Sequence, residues 1–158
     1  MPIQSFHAAE LNNKVVLLRT DYNVPMRGGK VTDKTRLLES LSTIRELQKA
    51  KAKIVIISHF GRPEGKITPE LTLKPIAKAL GSLLFQKINF CPETIGEKVE
   101  NEIARLKPGK ILMLENLRFH KQEEKMIQNF PRAWLAWGIY ISMMPSASHI
   151  VPMLPHLE

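Results

Sequence analysis

The chain has one cysteine, Cys91, among its 158 residues. A single thiol excludes an internal disulfide and fits a reducing, cytoplasmic compartment. Aromatic residues are scarce at 6%, and no run of them is interleaved with basic residues as a base-stacking surface requires. No apolar run reaches membrane-spanning length, so no transmembrane helix is expected. The first residues, Met-Pro-Ile-Gln-Ser-Phe-His, lack a basic stretch ahead of an apolar one, so no signal peptide is expected. Phosphate loops of the Gly-x-Gly-x-x-Gly or Gly-x4-Gly-Lys-Ser/Thr kind are missing. The five histidines and Cys91 show no metal-ligand spacing. Cys91 has no base beside it in sequence, so a catalytic thiol is not expected.

What is present is enough for one domain with a real core: 18.0 kDa and 44% hydrophobic residues. Lys and Arg number 23 against 15 Asp and Glu, for a net charge of +8. The basic residues are interleaved with acids, which reads as a solvated basic surface. No nucleic acid or membrane partner is expected. The alternative is a basic module that binds nucleic acid or another polyanion. Charge nearly stops at Lys125: residues 126–158 hold only Arg132 and Glu158. Both tryptophans, Trp134 and Trp137, lie beyond that point. A linker would be polar or rich in Gly and Ser, and this stretch is neither. A boundary is therefore expected at 125, with an apolar tail after it that is the least well packed part of the chain.

Before the boundary, strand and helix alternate. Lys14–Arg19, Lys53–Ser58, Lys87–Phe90 and Lys110–Glu115 read as strands, apolar on both faces. Asp33–Lys51 places Leu37, Leu38, Leu41, Ile44 and Leu47 at helical spacing, with Asp33 as N-cap. Leu73–Phe85 is a second helix with Pro75 in its first turn. Ile95–Leu106 is a third, with Ile95, Val99, Ile103 and Leu106 on one face. Buried strands alternating with helices predict an α/β fold, a doubly wound parallel sheet in three layers. Missing later strands would leave an apolar sheet edge, where Gly138–Ser142 could form an adventitious strand.

Ligands in open parallel sheets bind beyond the carboxyl ends of the strands. The residues there are Arg19-Thr-Asp21-Tyr-Asn23-Val-Pro25, Ser58-His59-Phe-Gly61-Arg62-Pro63 and Glu115-Asn116-Leu-Arg118-Phe119, with Arg36 near the start of the first helix. Taken singly, each has a bland explanation: a surface ion pair for an arginine, a structural role for His59, a turn for Asp21. Taken together, Arg36, His59, Arg62 and Arg118, with Asp21 and Asn23 as polar partners, predict a basic pocket for a small anion. Guanidinium forks suit carboxylate and phosphate oxygens, and Gly61 lets a backbone approach a ligand closely.

At these residues the chain resembles the phosphoglycerate kinase family. The matching motifs are Arg19–Pro25, Thr32-Asp-Lys-Thr-Arg36, Ser58-His-Phe-Gly-Arg-Pro63 and Leu114-Glu-Asn-Leu-Arg-Phe119, with Leu73-Lys-Pro75 and Ile95-Gly96 between them. The resemblance covers about residues 10 to 125. It implies a two-domain glycolytic enzyme, a monomer, that passes a phosphoryl group reversibly between 1,3-bisphosphoglycerate and ADP with magnesium. By that resemblance Asp21, Asn23 and Arg36 hold the carboxyl end of 3-phosphoglycerate, and His59, Arg62 and Arg118 hold its phosphate. Arg36 also faces the phosphoryl in flight. Residues 1–125 are then a partial phosphoglycerate-binding domain. The nucleotide-binding C-terminal domain is expected to be absent, with no residue here for ATP, ADP or magnesium, so the chain is expected to be inactive alone.

The tail departs from the family in a way the genetic code can test. Each codon's last base can be read with the next codon's first two. Met143 and Met144 then force Asp, Met144 and Pro145 force Ala, and Trp137 and Gly138 force Gly. Synonymous codons across Trp137–Ser146 permit Gly-Asp-Ile-Tyr-Ile-Asn-Asp-Ala-Phe. The same frame permits Asn-Asp-Pro-Glu-Phe from Lys125 and His-Arg-Ala-His-Ala-Ser-Thr from His149. All three resemble the stretch of phosphoglycerate kinases that comes next in the chain. The expectation is a frameshift near Lys125, by loss of one base in an A-rich run, that removes a further substrate arginine. The exposed tail is the candidate for any self-association.

Overall fold

The computed structural model describes residues 8–121, 138–142 and 150–151. The expectations for Trp134 and Trp137, and for most of the tail, lie outside those residues. In chain order the elements are a 3-10 turn Ala8–Leu11, β1 Val15–Arg19, β2 Met26–Arg27, β3 Lys30–Val31, α1 Thr35–Lys49 and β4 Lys53–Ile57. A 3-10 turn Pro69–Leu71, α2 Lys74–Leu84, β5 Asn89–Cys91, α3 Glu97–Arg105, β6 Ile111–Leu114 and a 3-10 turn Leu117–Phe119 come after these. The last are β7 Gly138–Ser142 and β8 Ile150–Val151.

The main sheet has the order β5-β6-β4-β1-β7-β8. Every pairing in it is parallel except β7 with β8. The central strands are buried on both faces because helices cover both. Val16, Leu18, Ile54, Ile56, Ile111 and Met113 pack with Leu37, Ile44 and Leu47 of α1 and Ile76 and Leu80 of α2. The alternate residues Leu17, Val55, Ile57, Leu112 and Leu114 pack with Val99 and Ile103 of α3. Each fully buried Leu or Ile contributes about 1.5–3 kcal/mol. This is the three-layer parallel arrangement expected from the sequence.

Several local readings need correction. Lys34, not Asp33, is the cap position of α1. The Asp33 carboxylate still serves the helix start, accepting from Thr35 N–H at 2.9 Å and Thr35 Oγ1 at 2.6 Å. Leu38 is 53% exposed, because α1 turns its stripe of Leu37, Leu41, Ile44 and Leu47 to the sheet. Ile95 precedes α3 and is largely exposed; Gly96, at φ 104°, starts the helix after it. Pro75 does sit in the first turn of α2. The short β2–β3 hairpin is an addition to the elements expected from the sequence; Gly28-Gly29, at φ 58° and 71°, is its signal.

β7 runs parallel to β1, with Val15 opposite Gly138 and Arg19 opposite Ser142. The segment singled out as an adventitious strand is therefore a strand. It covers the β1 edge that the sequence would leave exposed.

Candidate anion site at the strand ends

Strands β6, β4 and β1 are neighbours. Parallel pairing sets their carboxyl ends side by side, so the three loops meet. The loop after β1 alternates: Tyr22 and Val24 are buried, and Asp21 and Asn23 turn outward. Tyr22 anchors it. Its N–H donates to Ser58 Oγ at 3.0 Å, and its hydroxyl lies 2.7 Å from Ser40 Oγ. Burial pushes the Tyr22 phenol up to about 12, so it stays a neutral donor.

Asp21 and Asn23 organise the surface over that anchor. Asp21 Oδ1 takes Arg36 Nη1 at 2.7 Å, lies 3.7 Å from His59 Nε2, and accepts Asn23 N–H at 3.2 Å. Asn23 Oδ1 accepts Gly61 N–H at 3.1 Å. Arg118 Nη1 donates to the Gly61 carbonyl at 2.8 Å. Gly61 itself sits at φ 60°, and a Cβ there would meet Leu71 Cδ2 at 2.7 Å. A side chain here would be strained in the left-handed region and would push the Leu71 side chain aside, so glycine suits this crossing of the three loops.

Beneath them is a polar framework that the motifs did not assign. Asn116, wholly buried, accepts Phe60 N–H and Arg118 N–H and donates to the carbonyls of Phe60 and Leu71. Glu115 accepts from Leu73 N–H at 2.9 Å, Asn116 N–H at 2.7 Å and Thr72 Oγ1 at 2.6 Å. Buried polar groups at the end of an apolar strand were the available signal, because burial demands partners. Arg19 is a further basic residue at this end of the sheet, and sequence reading gave it no role.

The structure thus brings together Asp21, Asn23, Arg36, His59 and Arg118. Arg62 comes directly after Gly61 and is exposed; no hydrogen bond or ion pair among the described residues ties it to the cluster. His59 is buried, and burial is the largest cause of its pKa lying below 6.5, with the charge of Arg118 second. Asp21 opposes the shift; Arg19 and Arg36 add to it. His59 is therefore a neutral imidazole at pH 7 beside several cations. A dianion arriving here meets donors already held in place, the condition under which charge stabilisation is strong.

Among the described residues no three His, Cys, Asp or Glu side chains gather as metal ligands. No helix of the described residues is long and apolar enough to cross a membrane. Cys91 is buried, and burial pushes its thiol up, so it is a packing residue. A groove of about 1040 Å³ between α2 and β5 shares only Thr72 and Glu115 with this framework and lies away from the arginine cluster.

A family model described as phosphoglycerate kinase matches residues 6–143. The chain is 46% identical over 150 residues to the phosphoglycerate kinase of Bartonella bacilliformis, covering 94% of this chain and 38% of that protein. It is 45% identical over 141 residues to that of Moorella thermoacetica, covering 89% and 36%. Its fold is similar to the crystal structure of phosphoglycerate kinase from Pyrococcus horikoshii, with a TM-score of 0.74, 31% identity, and 84% and 34% of the two chains covered. The Coxiella burnetii enzyme gives a TM-score of 0.67 at 29% identity, covering 90% and 36%. The chain spans a little over a third of the length of these relatives.

Proposed function

The chain belongs to the phosphoglycerate kinase family, and from that premise we propose that its strand ends bind 3-phosphoglycerate or 1,3-bisphosphoglycerate. The convergence of Arg36, His59 and Arg118 on the Asp21–Asn23–Gly61 crossing carries this reading. Asp21, Asn23 and Arg36 hold the carboxyl end; His59, Arg118 and, from the rim, Arg62 hold the phosphate. Arg36 is partly exposed, its side chain at 45%, so its pair with Asp21 adds little stability. The pair's value is orientation: it aims a guanidinium at the reacting end of the ligand.

The family's reaction, phosphoryl transfer between 1,3-bisphosphoglycerate and ADP in glycolysis, is the activity this site serves. Phosphoryl transfer rests on positioning donor, acceptor and charge. The residues matched here supply the phosphoglycerate side of that arrangement, in a protein that is cytoplasmic and monomeric by family resemblance.

We propose a frame slip as the cause of the compositional boundary near Lys125. The family match nonetheless continues to residue 143. Ile139-Tyr140-Ile141, the middle of β7, can be encoded as Ile-Tyr-Ile in both frames, so the strand survives the slip while its flanks change. Sequencing the gene across codon 125 tests the slip. Calorimetric titration with 3-phosphoglycerate tests the site: saturable binding that weakens in Arg36→Ala supports it, and unchanged affinity removes Arg36 from it.

A further inference from the structure

The main sheet ends at β5. Asn89–Cys91 pairs with β6 on one side, and among the described residues no strand pairs with its other side. The outward N–H and C=O groups of such an edge are a template for another extended chain. Beside this edge runs the groove of about 1040 Å³ between α2 and β5, lined by Ile88, Asn89 and Phe90 of the strand side and by Ala77, Lys78 and Gly81 of the helix. From Lys74 to Phe85 the helix runs about 16 Å at 1.5 Å per residue. That is the length of about five residues of extended chain.

The groove is charged as well as apolar. Lys74 and Lys78 lie one turn apart on α2, and Lys87 stands just ahead of β5; all three line the groove and are exposed. No carboxylate among the described residues pairs with any of them. The lining holds two acids, Glu102 and Glu115. Glu115 is committed to Leu73 N–H, Asn116 N–H and Thr72 Oγ1, which leaves Glu102 to offset the three ammonium groups.

Phe85 marks one end of the groove. It closes α2 at φ 54° and ψ 38°, the left-handed conformation that favours glycine at a helix end. It is also 92% exposed. Neither the backbone nor burial gains stability from a phenylalanine at this place. An outlier of that kind points to a contact made with something outside the chain.

We propose that the α2–β5 groove docks an extended acidic peptide segment of a partner protein. The segment adds along the β5 edge, sets carboxylates against Lys74 and Lys78, and lays an apolar side chain on Phe85. The spacing fits. Side chains on alternate residues of an extended chain share a face about 6.6 Å apart, and residues one helical turn apart are separated by about 6 Å along the axis. The groove lies away from the arginine cluster, so its occupancy is independent of what binds there.

The probe is a fluorescein-labelled heptapeptide, Leu-Glu-Val-Glu-Val-Glu-Leu, titrated by fluorescence anisotropy against the 158-residue chain. Binding should be saturable. It should weaken about tenfold in the double variant Lys74→Gln, Lys78→Gln and about fivefold in Phe85→Gly. The thermal midpoint of Phe85→Gly should be no lower than the parent's, because glycine relaxes the left-handed turn. Lost binding in that variant is then not lost folding. Backbone amide signals of Asn89–Cys91 should shift on binding while those of Asn23 and Gly61 stay. A peptide of the same composition with its glutamates adjacent should bind more weakly, and Arg36→Ala should bind the probe as the parent does. No saturable binding, equal affinity in the parent and both groove variants, or displacement of the probe by 3-phosphoglycerate would overturn the proposal. So would tighter binding of duplex DNA or phosphatidylserine vesicles to the same residues.

Discussion

Arg118 reaches back along the chain to donate from Nη1 to the Gly61 carbonyl at 2.8 Å, while Asn23 holds the Gly61 N–H at 3.1 Å. One glycine peptide region is thus gripped by the loops after β6 and β1. A side chain that its sequence neighbours would place in solvent is fixed by a backbone group 57 residues away.

Removing the Arg36 guanidinium should weaken 3-phosphoglycerate binding by about 1.5–3 kcal/mol, the range for a hydrogen bond to a charged group. That is roughly a tenfold to 150-fold change in Kd. Calorimetric titration of the chain and its Arg36→Ala variant checks it. Stability should hardly change, because the Arg36–Asp21 pair is partly solvated.

Gly61→Ala should cost about 1–3 kcal/mol of stability: the left-handed backbone accounts for about 1–2, and the contact with Leu71 adds to it. Affinity for the ligand should fall as well, because Asn23 and Arg118 both bond to this residue. Urea midpoints and a binding titration on the same variant separate the two effects.

Asn116→Ala should destabilise more than any single site residue, by about 2–4 kcal/mol. It would strand the N–H groups of Phe60 and Arg118 and the carbonyls of Phe60 and Leu71 in a buried setting. A urea midpoint no lower than that of the parent chain would contradict the framework role.

The pKa of His59 lies below 6.5 in the folded chain. The unfolded state therefore takes up its proton first as pH falls. Stability is fully present above about pH 6.5 and declines as pH drops toward the folded value. Replacement by glutamine should flatten that slope, read from urea midpoints between pH 7 and 5. A bound phosphate dianion should raise the imidazole's pKa. Binding near pH 6 should then take up protons, detectable as a dependence of binding enthalpy on the buffer's ionisation enthalpy.

The purified 158-residue chain should give no ATP-dependent phosphorylation of 3-phosphoglycerate in a coupled assay. Proximity alone is worth about 7–11 kcal/mol of a barrier. Measurable turnover in a preparation from a host lacking its own enzyme would contradict the expectation that these 158 residues bind the substrate without transferring phosphate.

The sequence by itself determined the alternation of buried strands and helices, since strands covered on both faces must be apolar throughout and the helices must show a 3.6-residue stripe. It also singled out the loops to search for a ligand site, because in a parallel sheet ligands bind past each strand's carboxyl end. Helix details were less legible: Asp33 and Ile95 lie just ahead of their helices and Leu38 lies on the exposed side of α1, since caps and rotation about the helix axis depend on what the helix packs against. Tertiary structure alone decided the strand order β6-β4-β1, which turns three separate motifs into one cluster. It also set the depression of the His59 pKa, which arises from burial and from arginines that are distant in the chain. The roles of Asn116 and Glu115 came from the same source. A buried amide or carboxylate reveals its partners only when the loops it joins have met.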